Sequence, residues 1–222
     1  PLDRNWSVLV RLVGPDGVTD LARSEGWPWG RPTVDWPPGA VWPDGHTLVI
    51  PPDAAPGPYR VDVSFYDAAT LELLGDGPAT AGFVVVAAPP AASPGAAAAP
   101  AAARPLARFG DCIELLAVAA PVDGWTAGAT QQVGLTWQRA AAAACGRYTV
   151  FVHLAGAQGL AAQADQEPLG GFYPTDAWLP LTPVTDRYTL ALPPDAPPGD
   201  YQLLVGLYDP ATGQRLPLLR NG

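Results

Sequence analysis

Trp6, Val8, Val10 and Leu12 alternate with Ser7, Leu9 and Arg11, and Tyr148, Val150, Val152 and Leu154 alternate with Thr149, Phe151 and His153. A period of two predicts strands with one face turned to a core. Tyr59, Val61, Val63 and Phe65 alternate in the same way with Arg60, Asp62, Ser64 and Tyr66, and Tyr201 to Tyr208 repeats the pattern. The expected inward set is Trp6, Val8, Val10, Tyr59, Val61, Val63, Tyr148, Val150, Val152, Tyr201, Leu203 and Val205. "TLVI" (47–50) and "TLAL" (189–192) read as strands stopped by Pro-Pro, "CIELLAV" (112–118) and "QQVGLTWQ" (131–138) as two more, and Phe83 to Val86 as a closing strand.

These patterns come in pairs because the chain repeats itself. "PPDAAPGPY" (51–59) returns as "PPDAPPGDY" (193–201), and the same offset of 142 aligns 6–74 with 148–216 without a gap, over a third of the pairs being identical. Gly14 meets Gly156, Trp36 meets Trp178, Asp44 meets Asp186, and Tyr66-Asp67 meets Tyr208-Asp209. In each string the prolines end a strand, Pro-Gly turns the chain, and the tyrosine opens the next strand. This resembles the tyrosine corner of immunoglobulin-like sandwiches, in which the hydroxyl ties back to the loop backbone. After that strand, "YDAATLELL" and "YDPATGQRL" read as turns into a last hairpin, with Thr212-Gly213 bending the second.

The expected fold is therefore all-β: two immunoglobulin-like β-sandwich modules in tandem, 1–87 and 106–222. Between them, 88–105 is rich in Ala and Pro and reads as an extended linker; an Ala-rich helix is the competing reading, opposed by prolines at 89, 90, 94, 100 and 105. Counterparts of 112–118 and 131–138 in the first module would fall before residue 1, and the counterpart of Phe83 to Val86 would fall after Gly222. The first module thus lacks its N-terminal strands and the second its last strand, the pattern of an excerpt from a longer protein.

Charge narrows the partners. A formal net charge of -9, with twelve basic residues that are all Arg, opposes binding to nucleic acid and to anionic lipid. The most apolar stretch, 81–103, is broken by prolines and is not a membrane span.

The runs "YTVFVHLAGAQGLAAQADQEPLGGFYPTDAWLP" and "DRYTLALPPDAPPGDYQLLVGLYDPATGQRLPL" resemble the soluble β-sandwich region at the C-terminal end of bacterial protein-mannosyltransferase-like membrane glycosyltransferases and related surface proteins. The resemblance covers 109–219, and 6–86 more loosely. It implies an extracytoplasmic spacer or interaction region without catalytic residues of its own, attached to a membrane only through other parts of a longer chain. It also bears on Cys112 and Cys145. Strand order brings both to one pole of the second module, where they are either bridged or two free thiols; extracytoplasmic relatives imply the bridge.

Other candidate chemistry is sparse. No CxxC, HExxH or G-x-S-x-G occurs, and a chain without Lys has no phosphate-binding P-loop. No cofactor and no metal are expected. His46 and His153 face Tyr188 and Arg11 in the repeat, which favours ordinary surface or strand positions. Asp44, Asp53, Asp67 and Glu25 recur as Asp186, Asp195, Asp209 and Glu167, singly placed as turn-capping residues are. "WPWGRPTVDWPPGAVW" (27–42) holds four of the eight tryptophans. Trp36 recurs as Trp178 and is expected to be structural. Trp27, Trp29 and Trp42 face Leu169, Gly171 and Val184, so they are free to stack on sugar rings, with Arg31, Asp35 or Glu25 reaching the hydroxyls. Packing over the sheet as apolar plugs is the other reading. The partners considered are therefore a cell-surface glycan or a protein.

Overall fold

The computed structural model describes residues 2–87, 104–121, 125–141 and 144–219. The described residues form antiparallel strands and short 3-10 turns, with no α-helix. The chain divides into two compact units, Pro1–Pro90 and Ala91–Gly222. Of the expected linker, 88–103 lies outside the described residues.

The first unit holds β1 (Trp6–Val13), β2 (Asp20–Gly26), β3 (Gly57–Asp67) and β4 (Ala79–Val86) in one sheet of order β2-β1-β3-β4. Val8, Val10 and Leu12 pair across with Phe65, Val63 and Val61, which puts the alternating apolar residues of both strands on one face. The second unit holds two sheets. One contains β5 (Ala107–Phe109), β6 (Ile113–Ala119), β7 (Thr130–Arg139), β10 (Val184–Ala191) and β12 (Leu218–Leu219); the other contains β8 (Thr149–Gly156), β9 (Gly159–Gln166) and β11 (Gln202–Tyr208). Val133, Leu135, Trp137, Tyr188 and Leu190 from the first, with Val150, Val152, Leu154 and Leu207 from the second, make its buried core.

The sheet β2-β1-β3 is the repeat of β9-β8-β11, and the contrast around it explains where the pattern misleads. Residues 184–191 form β10 because β7 lies alongside from Val184↔Trp137 to Ala191↔Thr130. Their repeat partners, 42–49, include "TLV" of the expected first-module strand but are irregular. No second sheet is present among the described residues of the first unit, so this segment has no ladder to join. Val41 and Val49 are accordingly exposed.

Burial follows the same logic. Trp6, Val8, Val10, Tyr59, Val150 and Val152 are buried as expected. Val61 and Val63 are only half-buried, although Leu12 and Val10, their partners on the same face, are buried; Tyr148, Tyr201, Leu203 and Val205 are also half-buried, the last two because β11 is an edge strand. Asp62, on the opposite face of β3 from Val61, is buried instead, gripped by both ends of the Arg60 guanidinium at 2.7 Å and by the Thr80 hydroxyl at 3.2 Å.

Three local devices recur in both units. Tyr59 Oη donates to the Ala55 carbonyl (3.0 Å) and Tyr201 Oη to the Pro197 carbonyl (2.7 Å), the tie-back expected from the repeated string. A Cβ on Gly156 would lie 2.7 Å from the Tyr201 ring, which accounts for glycine at that place. Thr33 and Thr175, both fully buried, each accept from the first residue of the alternating strand pattern (Trp6 N–H, 2.9 Å; Tyr148 N–H, 2.8 Å) and donate to a carbonyl two residues earlier. Asp67 and Asp209 accept from Ala69 and Ala211 N–H, both at 2.8 Å, closing the hairpin turns. In the second unit Cys112 and Cys145 are joined in a disulfide with Cα atoms 5.6 Å apart, tying the start of β6 to the segment that enters β8, hence one sheet to the other.

Candidate functional site

The aromatic turn of the first unit is set by its backbone. Gly30 N–H donates to Trp27 C=O (2.8 Å) and Arg31 N–H to Pro28 C=O (3.1 Å), which closes a short 3-10 turn, Pro28–Gly30. Trp29 sits inside it at φ 52, ψ 23, a left-handed conformation that costs a bulky L-residue on the order of 1–2 kcal/mol. In the second unit the same place, just after a proline and with its N–H held by the matching aspartate, belongs to Leu169, also at φ 52. Both units thus place a bulky residue where the backbone prefers glycine.

Around that ring the sequence-predicted residues sort themselves. Trp42 stacks on Trp29, ring centroids 4.7 Å apart and planes 20° from parallel, while the Arg31 guanidinium lies over the Trp29 ring at 5.0 Å. Trp27 and Trp29 are each about half exposed, at 49% and 46%, and Trp42 is half-buried with its indole N–H unpartnered. The rings of Trp29 and Trp42 therefore face each other; they do not lie side by side as a flat platform. Asp35 belongs to the next 3-10 turn, Thr33–Asp35, through its backbone bond to Pro32, and Glu25 accepts from the Tyr66 hydroxyl (3.3 Å). Neither carboxylate joins the stack. Trp178, as expected, is structural: it is fully buried and donates to the Tyr173 carbonyl.

Three residues outside the sequence-predicted set complete the site. Asp44 accepts the Trp29 N–H (2.8 Å) and bonds His46 Nε2 (2.9 Å); His46 Nδ1 in turn meets Ser24 Oγ of β2 (3.0 Å). Burial alone would raise the Asp44 carboxyl, but the Trp29 N–H and His46 outweigh it and hold it below the usual carboxylate value. A Ser–His–carboxylate chain has the connectivity of a nucleophile relay. The second unit supplies the comparison. There Asp186 accepts from Leu169 N–H (3.0 Å) and from Gln166 Nε2 (3.4 Å), and Gln166 and Tyr188 occupy the places of Ser24 and His46. What both units keep is the carboxylate that caps the turn. The recurrence of Asp44 as Asp186 was the visible signal; Ser24 and His46, replaced in the repeat, gave none.

The repeated proline string lines an open groove in each unit, about 500 Å³ bounded by Gly14, Asp53 and Tyr59 and about 310 Å³ bounded by Gly156, Asp195 and Tyr201. Among the described residues no group of three His, Cys, Asp or Glu side chains converges to hold a metal ion, and no helix is long and apolar enough to cross a membrane. Neither the family models nor the curated proteins compared with this chain match it.

Proposed function

We propose that this chain is a non-catalytic, extracytoplasmic spacer and interaction region of a larger cell-surface or membrane glycosyltransferase-like protein. The observation that carries the reading is the doubled module in which the recurring polar residues serve the fold. Asp44 and Asp186 cap turns, Asp67 and Asp209 close hairpins, and Thr33 and Thr175 fasten strand entries. A disulfide linking two sheets supports an oxidising compartment.

A second reading, a carbohydrate-binding module, draws on one specific observation: the first unit holds Trp29 half exposed beside Arg31, at a place where the second unit has Leu169. Titration of the chain with a panel of cell-surface glycans separates the two. The spacer reading expects no saturable response tighter than millimolar, since one stacked ring contributes only about 1 kcal/mol. Micromolar binding lost in Trp29→Ala would establish the carbohydrate binder in its place. Turnover of p-nitrophenyl acetate abolished by Ser24→Ala would overturn the non-catalytic assignment.

A further inference from the structure

The entry to the first unit holds a triplet that the second unit lacks. Asn5-Trp6-Ser7 has the form Asn-x-Ser with x other than proline, the pattern that N-glycosylation reads on exported chains. The same places in the second unit are Arg147-Tyr148-Thr149, so the hydroxyl residue is kept and the asparagine is not. Arg147 has a partner within its own unit: its guanidinium forks onto the Glu167 carboxylate at 2.6 and 2.9 Å, next to the turn Pro168–Gly171. Asn5 forms no such pair.

Asn5 is exposed and lies directly before β1. Its carboxamide is fixed by one bond, from the Val34 N–H to Oδ1 at 3.3 Å. Nδ2, the atom that carries the sugar in an N-glycan, bonds to nothing among the described residues. The strand entry is fastened without it, since Trp6 N–H donates to the Thr33 hydroxyl and that hydroxyl donates to the Arg4 carbonyl. A substituent on Nδ2 therefore leaves these bonds and the Val34 contact intact.

The serine sets the time of transfer. Ser7 is buried in the folded unit, paired across from Tyr66 of β3, so an enzyme that reads Asn5 and Ser7 together does not reach both there. Tyr66 follows Ser7 by most of the length of the unit, and a chain crossing a membrane from its N-terminal side presents 5–7 extended before β3 arrives to cover it.

We infer that Asn5 is an N-glycosylation site, modified during export before β1 and β3 pair. In the transfer Nδ2 attacks C1 of the first sugar of a polyprenyl-diphosphate-linked oligosaccharide. The Nδ2–C1 bond forms, the bond from C1 to the phosphate oxygen breaks, polyprenyl diphosphate leaves, and one amide proton passes to solvent. The product is a bulky, hydrated group at the entry to the first unit, beside the turn Thr33–Asp35. The inference rests on the extracytoplasmic reading, and it does not involve Trp29.

The test takes the protein from its source cells. Trypsin cuts after Arg4 and Arg11, and mass spectrometry of the peptide 5–11 shows whether it bears a sugar that releases hexose or N-acetylhexosamine fragment ions. The peptide is expected in glycosylated form. In the same cells Ser7→Ala should lower occupancy at least tenfold although Asn5 remains, whereas Ser7→Thr, the residue the second unit holds at that place, should retain it. Asn5→Gln, an exposed change, should remove the sugar and leave hydrogen exchange across β1 as it is in the enzymatically deglycosylated parent. An unmodified peptide from protein whose Cys112–Cys145 bridge is intact would overturn the inference and leave the extracytoplasmic reading standing; an unmodified peptide with both thiols free would overturn both. A sugar that survives Ser7→Ala would also overturn it, because the triplet would then not be what is read.

Discussion

Replacing Trp29 by Gly and by Ala separates backbone strain from ring contacts. Both substitutions remove the stack on Trp42, about 0.5–1.5 kcal/mol, the cation–π contact with Arg31, about 0.5–1 kcal/mol, and the half of the ring surface that is buried. Each variant should therefore lie about 2–4 kcal/mol below the parent in the first unit. They should differ from each other, because Ala inherits the strained φ of 52 and Gly does not. In ordinary backbone Gly is the less stable of the two by about 0.5–1 kcal/mol; here the order inverts, and Trp29→Gly should exceed Trp29→Ala by about 1 kcal/mol. Hydrogen exchange of the β1 and β3 amides reads the first unit without contribution from the second. If the alanine variant proves as stable as the glycine variant or more so, Trp29 is not held in the left-handed region and the argument from strain is lost.

Three further outcomes follow from other contacts. Leu71, 73% exposed at φ 62, stands where the second unit has Gly213 at φ 71, so Leu71→Gly should stabilise the first unit by about 1 kcal/mol in the same exchange assay; no gain would refute the strain. The Asp62 carboxyl is held below its usual value chiefly by the Arg60 hydrogen bonds, so its stabilisation is complete above about pH 4, the value in the unfolded chain, and fades as pH falls through the lower folded value; protection from exchange at 57–67, taken against the intrinsic rate at each pH, should fall from pH 5 to pH 3 more than at 199–209, where Leu204 replaces it. Reducing Cys112–Cys145 should cost the second unit about 3–4 kcal/mol, seen as faster exchange in β7 and β8 with β1 unchanged.

Strand positions were legible because alternation over four or more residues has one simple solution, a strand with a single buried face. The disulfide was legible in part, since strand order brought its cysteines to one pole but left their redox state open. The stretch 47–50 misled because an apolar period states which residues want cover and not whether a partner strand supplies it. Asp62 shows the converse, a polar residue in an outward register that is buried because Arg60 and Thr80 satisfy it. At the aromatic turn, residue types marked Trp27, Trp29 and Trp42 as a side-by-side platform edged by Arg31, Asp35 or Glu25, whereas Trp29, Trp42 and Arg31 come together as a stack. Their mutual stacking depends on a left-handed backbone at a tryptophan, which no propensity anticipates.

Hydrogen exchange across the two copies of one segment, 42–50 and 184–192, tests the central structural claim most directly, that a shared sequence pattern becomes a strand only where a partner strand is present. Amides of 184–191 that bond to β7 should exchange only through opening of the second unit, while those of 42–49 should exchange near the rate of an unpaired chain, apart from any shielded by the Asp44–His46 contacts. Equal protection in both segments would show that the first unit holds a second sheet after all, and would contradict the account.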